Sequence, residues 1–197
     1  MFMSMTSYIG LYKQLGQNEQ RIFENSSLNP VIFKKRIRVK KMIGHENRDF
    51  AISSLMVSIY LTNRRLLFLI IRENGTAALR KRGVPTLSGL ESSWYEIPVS
   101  SIRNVQALNM EVSKNKELKE LAPSVANQER VSIIEIDYEG NRTSGNLKEY
   151  MESMFDAPRL AKMYNLKEAV ELGSKLQIIG EQNISLIPKL KGIIVPE

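Results

Sequence analysis

The sequence contains no cysteine, one histidine and one tryptophan among its 197 residues. Without cysteine, the chain can form neither disulfides nor thiolate metal sites. The histidine, His45, is followed by Glu46, but the His-Glu-X-X-His zinc pattern is incomplete because Asp49 occupies its fifth position. We therefore expect no metal and no cofactor, and we interpret His45 as a residue of a surface loop.

Long apolar runs are also missing. The longest, residues 66–71, is six residues long, against the roughly 20 that cross a bilayer. Residues 1–10 lack the basic patch, apolar core and cleavage site of a signal peptide. We expect an intracellular, cytoplasmic location, with peripheral attachment to a membrane as an open alternative.

Familiar catalytic patterns are absent from the sequence as well. It contains no phosphate-binding loop, dinucleotide-binding glycine pattern, nucleophile elbow or histidine pair. Glu135, Asp137 and Glu139 alternate along one segment, which is typical of the solvated face of a strand. Their charge is also suited to neutralising a neighbouring basic strand. We predict no catalytic residues and a non-enzymatic protein.

Positive charge is in excess. The chain has 28 basic and 21 acidic residues, a net charge of +7. Such a balance favours anionic partners through long-range attraction. Nucleic acid, anionic lipid and acidic proteins all fit this description.

The clearest local structure is a hairpin over residues 57–71. Two runs rich in Ile, Leu, Tyr and Phe meet at a polar corner that contains Asn63, Arg64 and Arg65. These runs suit a half-buried pleated surface, and Asn63 tolerates a left-handed turn conformation. We place this hairpin at the centre of a β-rich domain and interpret its basic corner as a solvated turn.

Before the hairpin, residues 33–43 alternate apolar and basic side chains. Phe33, Ile37 and Val39 share one predicted face. Four cations, about 6.6 Å apart on the other face, form a ridge that suits phosphates or an anionic membrane. An edge strand protected by charge is the alternative. The ridge consists of Lys34, Arg36, Arg38 and Lys40.

After the hairpin, residues 72–93 contain four glycine or proline breaks and no clear period. A loop of this length is uncommon unless it is functional or disordered. Arg80, Lys81 and Arg82 lie near its middle. We interpret this basic run as a second candidate anion contact, with an ordinary solvated loop as the alternative.

Two short motifs carry a family resemblance. The first is Leu-Thr-Asn-Arg-Arg-Leu at residues 61–66, and the second is an aromatic-X-Ile-Pro-Val-X-X-Ile-X-X-Val segment at residues 95–105. Together they resemble the GRAM and bacterial pleckstrin-homology-like domains. The resemblance implies a mainly β (α+β) fold in which two near-orthogonal antiparallel sheets form a partly open barrel, capped by a C-terminal helix.

Periodicity predicts the remaining elements. We expect an amphipathic helix over residues 7–24, a linker over 25–30, a short helix over 113–122 and a strand over 131–139. Asn165 and Glu168 have the spacing of a capping box, which predicts a helix over 165–179. Residues 147–155 fit either a strand or a helix. The predicted organisation is an N-terminal helical extension (1–29), the pleckstrin-homology-like domain (30–180) and a C-terminal tail (181–197).

These observations predict a binding or recruitment module for an anionic partner: a membrane surface, a lipid headgroup or an acidic protein. Nucleic-acid binding through the same surface is weaker, because the hairpin aromatics suit a core better than a stacking platform. A protein-interaction or oligomerisation domain is the third alternative. The predicted ligand-binding residues are Lys34, Arg36, Arg38, Lys40, Arg64, Arg65, Arg80, Lys81 and Arg82.

Overall fold

The predicted hairpin is confirmed and belongs to a much longer antiparallel meander. In this computed structural model, which describes residues 15–74, 78, 81, 94–140, 144–145 and 156–194, the chain is mainly β. The strands are β1 (Arg21–Lys40), β2 (His45–Thr62), β3 (Arg65–Glu73), β4 (Trp94–Pro98), β5 (Ile102–Glu111), β6 (Arg130–Tyr138), β7 (Ser144–Gly145) and β8 (Val170–Ile179). The described helices are α1 (Lys116–Leu121), α2 (Ala157–Tyr164) and α3 (Leu186–Ile193).

The described strands form one hydrogen-bonded sheet in the order β5-β6-β8-β1-β2-β3-β4-β7. Every neighbouring pair is antiparallel. The long β1 is central, because it pairs with β2 along most of its length and with β8 through residues 31–38. No helix of the described residues is long and apolar enough to cross a membrane.

The main apolar core takes buried side chains from both faces of the sheet, since consecutive residues of β1 (31–33) belong to it, and a second, smaller cluster lies apart from it. Phe33 is fully buried and meets the rings of Phe68 and Tyr95 edge-on, at centroid distances of 5.9 and 5.5 Å. Ile37 and Val39 are also buried, so the predicted alternation of β1 is confirmed. Aromatic pairs in this geometry add stabilisation beyond the area that they bury.

The corner of the β2–β3 hairpin is built differently from the prediction. Among the described non-glycine residues, a positive φ occurs at Asn18, Asn165 and Glu168, and not at Asn63. Asn63 instead uses its side chain, which accepts from the backbone N–H of Gln20 at 2.8 Å and donates to the carbonyl of Asn18 at 3.0 Å. It therefore fastens the segment that precedes β1.

Within the described residues, the N-terminal predictions are wrong. Residues 21–30, expected to end a helix and form a linker, lie inside β1. The bonds to β2 hold them extended, and register shifts between Asn25 and Asn29 absorb the irregular sequence. The expected boundary between residues 29 and 30 therefore falls within a strand. Residues 7–14 and 147–155 lie outside the described residues.

The predicted helix over residues 165–179 is also wrong. Asn165 ends α2 in a left-handed conformation with φ of 52°, and residues 170–179 form β8. Leu176 and Ile178 are buried, and β8 pairs with both β1 and β6. Tertiary pairing has overridden a pattern that satisfies helical spacing equally well.

Two helices cover parts of the sheet. In α1, which confirms the short helix of residues 113–122, Leu118 and Leu121 are buried and Asn115 caps the first turn. Ser54 donates to the carbonyl of Leu121 at 2.6 Å and so ties α1 to β2. The C-terminal helix is α3, inside the predicted tail; Pro188 lies in its first turn, where proline is tolerated.

Candidate binding surface

The first half of the predicted basic ridge is neutralised within the molecule. Lys34 Nζ lies 2.5 Å from Glu117 of α1. Arg36 lies 3.2 Å from Asp49 and 3.5 Å from Asp137. Asp137 of β6 contributes to this neutralisation, but β6 is not the direct neighbour of the basic strand that one interpretation of the sequence assumed, because β8 lies between β6 and β1. Lys34 and Arg36 present little uncompensated charge to a ligand.

Lys175, which sequence reasoning missed, occupies the middle of this charged cluster. Its side chain is 10% exposed, and its Nζ lies 3.0 Å from Asp49, 3.1 Å from Glu135 and 3.9 Å from Asp137. Burial by itself lowers the pKa of Lys175, but hydrogen bonds to Asp49 and Glu135 outweigh it and raise the pKa above its ordinary value. Lys175 is therefore a structural cation.

The carboxylate of Glu135 is held in its ionised form. Burial raises its pKa, but hydrogen bonds from Gln177, Gln106 and Lys175 outweigh burial, and the pKa lies below its ordinary value. Gln177 and Gln106 each donate to a different oxygen of Glu135 at 2.8 Å. Each oxygen is thus satisfied by the protein itself, as expected of a structural carboxylate.

The two arginines of the hairpin corner also have internal partners. Arg65 is 13% exposed and lies 2.7 Å from Glu19 and 3.0 Å from Glu96. Arg64 donates to the carbonyl of Gln17 at 2.5 Å. Burial raises the pKa of Glu19, but bonds from the Gly16 N–H, Arg65 and Thr62 outweigh it and lower the pKa. This corner fastens the residues that lead into β1.

A shallow groove of about 460 Å³ lies beside this corner. Arg64 and Arg103 contribute cations to its lining, together with Ser100 and the apolar end of α3. Arg103 already donates to Glu139 at 2.9 Å. Because both guanidinium groups have protein partners, the groove is a weaker anion site than its composition suggests.

Two cations of the predicted ridge, Arg38 and Lys40, lie at the far end of the β1–β2 hairpin, together with three cations that were not predicted. We call five residues the basic end. Arg38 and Lys167 are exposed and have no ion-pair partner among the described residues. The backbone N–H of Lys40 donates to the carbonyl of Lys167 at 3.0 Å, which places Lys167 beside the hairpin. The basic end comprises Arg38, Lys40, Lys41, Arg48 and Lys167.

Two carboxylates lie among these five cations. Glu46 is 2.9 Å from Lys41 and 3.3 Å from Arg48, and Glu168 is 2.9 Å from Lys40. The hydrogen bond from Lys41 lowers the pKa of Glu46, and that from Lys40 lowers the pKa of Glu168. Both carboxylates are ionised at neutral pH, so the basic end has an excess of three positive charges.

The cations of the basic end lie on both faces of the hairpin. Residues directly opposite one another in an antiparallel pair share a face. Arg48 is opposite Ile37 and therefore lies on the core-facing side, whereas Arg38 and Lys40 occupy the other side. Positive charge thus surrounds the hairpin end. Sequence reasoning found Arg38 and Lys40, but it missed Lys41, Arg48 and Lys167, which pairing brings together.

Of the predicted basic run over residues 80–82, the structure describes one residue. Lys81 is exposed, and Arg80 and Arg82 lie outside the described residues. His45 is exposed as predicted, but it is the first residue of β2 and does not lie in a loop. Within the described part of the chain, no group of three or more His, Cys, Asp and Glu residues is arranged to hold a metal ion.

Of the four aromatic residues predicted to lie in the core, three are buried and Trp94, at the start of β4, is only half-buried. Tyr60, Phe68 and Tyr95 are each at most 3% exposed. They offer no surface on which nucleic-acid bases could stack.

No protein-family model, curated protein or solved structure matches this chain.

Proposed function

We propose that this chain is a non-enzymatic binding module that attaches to anionic membrane surfaces through the basic end of the β1–β2 hairpin. The observation that carries the proposal is the excess of three positive charges there, on both faces of a projecting hairpin. Each lysine or arginine near an anionic leaflet contributes about 1 kcal/mol. An excess of three therefore favours attachment by about 3 kcal/mol, roughly a hundredfold in affinity.

The proposal moves the binding surface predicted from the sequence toward one end of β1. Arg38 and Lys40 keep their predicted role, and Lys41, Arg48 and Lys167 join them. Lys34, Arg36 and Arg65 are better explained by their carboxylate partners, at 2.5, 3.2 and 2.7 Å. Nucleic-acid binding and oligomerisation stay alternatives, without an observation that favours them.

We also propose that the sheet closes as a pleckstrin-homology-like barrel. The support is β1, which is shared between β2 on one side and β8 on the other, so that the strands divide into two groups about it. Burial of Leu186 and Leu190 of α3 supports a capping role for that helix. An experimental structure in which the two groups remain in one flat sheet would contradict this arrangement.

Vesicle sedimentation tests the membrane proposal. Wild type should bind vesicles that contain about 30% phosphatidylserine at low salt and should not bind pure phosphatidylcholine. Arg38→Gln combined with Lys41→Gln removes two charges from the basic end and should weaken binding about tenfold to thirtyfold. The matched control, Lys114→Gln with Lys116→Gln, removes two exposed charges near α1. Equal weakening by both pairs, or no binding by wild type, would refute attachment through this end.

A further inference from the structure

The tip of the β1–β2 hairpin exposes two large apolar side chains. Met42 and Ile43 have relative exposures of 104% and 93%, as high as in an isolated extended peptide. The flanking residues, Lys41 and Gly44, are joined by a backbone hydrogen bond of 3.0 Å. Full exposure of two adjacent apolar residues at a projecting end is a feature that packing does not explain.

We propose that this tip inserts Met42 and Ile43 into the apolar boundary of the bilayer while the basic end contacts the headgroups. This inference rests on the proposed membrane attachment and adds a second, salt-insensitive contribution to it. It also gives the bound protein an orientation, with the hairpin pointing into the membrane.

The geometry of the hairpin matches the layers of a bilayer. Strand residues rise about 3.3 Å each, so Lys40 and its partner His45 lie about 7 Å behind the tip. Amphipathic elements at membrane surfaces bury their apolar side chains about 5–10 Å deep. Insertion of the tip to that depth leaves Lys40 and Lys41 at the level of the phosphates. Arg38, further back along β1, lies at the outer limit of the headgroups.

The tip is ordered before it binds. Gly44 adopts a φ of 73°, which a residue with a side chain rarely adopts, and this conformation closes the turn. Continuous pairing of β1 and β2 from Lys40 and His45 backward holds the turn in place. Binding therefore does not require the backbone to fold, which limits its entropic cost.

A membrane fits this tip better than a second copy of the chain. Two side chains expose far less surface than the roughly 800 Å² per partner that a stable protein interface buries. The surrounding excess of positive charge also repels an identical tip. An anionic lipid surface satisfies both features, because it supplies negative headgroups around an apolar interior.

Val170 and Leu172, at the start of β8, are also exposed. Val170 is level with Arg38, about 13 Å behind Met42 along the strand. This exceeds the depth of interfacial insertion, so Val170 remains outside the hydrocarbon and serves as an internal control for depth.

A site-specific fluorophore tests the inference. Because the chain has no cysteine, Ile43→Cys and the control Lys116→Cys can each be labelled at one position with an environment-sensitive dye. Lys116 is 88% exposed and lies on α1. On phosphatidylserine vesicles, the dye at residue 43 should shift to the blue and be quenched by lipids that carry a quencher on the acyl chain. The dye at residue 116 should do neither.

A binding measurement distinguishes this inference from the proposed function. Met42→Ser with Ile43→Ser should weaken vesicle binding at least tenfold, since burial of one such side chain favours binding by a factor of ten or more. Both residues are exposed, so the unfolding midpoint should not change. If wild type binds the vesicles, but the dye at residue 43 is not quenched and the serine variants bind as tightly as wild type, insertion is refuted. Attachment through the basic end then still stands. Failure of wild type to bind any anionic vesicle would overturn both.

Discussion

Replacement of Lys175 by methionine is the most direct test of the charged cluster on the sheet. Methionine keeps the length of an apolar stem and removes the ammonium. The change leaves Asp49, Glu135 and Asp137 close together with Arg36 as their remaining cation. One Asp137 oxygen is already buried without a hydrogen bond. We expect a clear loss of stability, because unpaired buried charge is costly.

The magnitude follows from burial and distance. Removal of one partner from a well-buried ion pair costs about 3–5 kcal/mol. Asp49 is 31% exposed and retains Arg36 at 3.2 Å, which reduces the cost. We therefore expect Lys175→Met to lower the free energy of unfolding by about 2–3 kcal/mol at pH 7. For a chain of this size, the melting temperature should fall by about 5–10 °C.

The directions of the two pKa shifts define how the stabilisation by this charged cluster changes with pH. The lowered pKa of Glu135 means that its stabilisation is present above the ordinary glutamate pKa and is lost as the pH falls through the lowered value. The raised pKa of Lys175 means that its stabilisation is present below the ordinary lysine pKa and is lost as the pH rises through the raised value. The loss of unfolding free energy caused by Lys175→Met should therefore be complete at pH 6–8 and should become smaller below about pH 4.

Urea denaturation at pH 7 and at pH 3.5 measures this effect. Lys116→Met is the matched control, since Lys116 is 88% exposed and its ion pair spans 3.7 Å; it should change stability by less than about 0.5 kcal/mol. Adding Glu135→Gln to Lys175→Met should restore about 1 kcal/mol by removing an uncompensated charge. A deficit below about 1 kcal/mol at pH 7, or one that is unchanged at pH 3.5, would refute this reasoning.

Two further substitutions address the polar contacts that fasten the N-terminal part of β1. Glu19→Gln should lower the free energy of unfolding by about 1–3 kcal/mol in urea denaturation at pH 7, because it removes the charge opposite Arg65. This loss should be smaller at pH 3, because the pKa of Glu19 is lowered and its stabilisation is lost as the pH falls through that pKa. Asn29→Ala should lower the free energy of unfolding by about 2–3 kcal/mol in thermal denaturation, because the buried amide of Asn29 donates to Val57 and accepts from Asn183. A cost below about 0.5 kcal/mol in either variant would contradict the contact concerned.

Elements with one unambiguous period were predictable from the sequence. The strand of residues 131–139 appears within one residue of its expected bounds. The hairpin of residues 57–71 also forms, but its first strand begins at His45, twelve residues before the expected start. Their β-branched and aromatic residues suit a strand and no other element. Residues 165–179 satisfied two periods, and the hydrogen bonds that β1 and β6 offer decided in favour of a strand.

The charged residues of the candidate site were also only partly predictable from the sequence. Alternation correctly placed Lys34, Arg36 and Arg38 away from the apolar core. It could not show that Glu117 and Asp49 lie beside the first two and leave Arg38 without a carboxylate. Those carboxylates come from α1 and β2, and only the packed chain brings them within ion-pair distance.

By itself the sequence determined that this protein is mainly β, that it carries an excess of positive charge, and that Met42 and Ile43 stand between Lys41 and Gly44. These properties depend on composition and on neighbours along the chain. Only the tertiary structure decided which cations are neutralised and which surround the exposed tip, because ion pairs form between residues that are distant in sequence and meet through strand pairing.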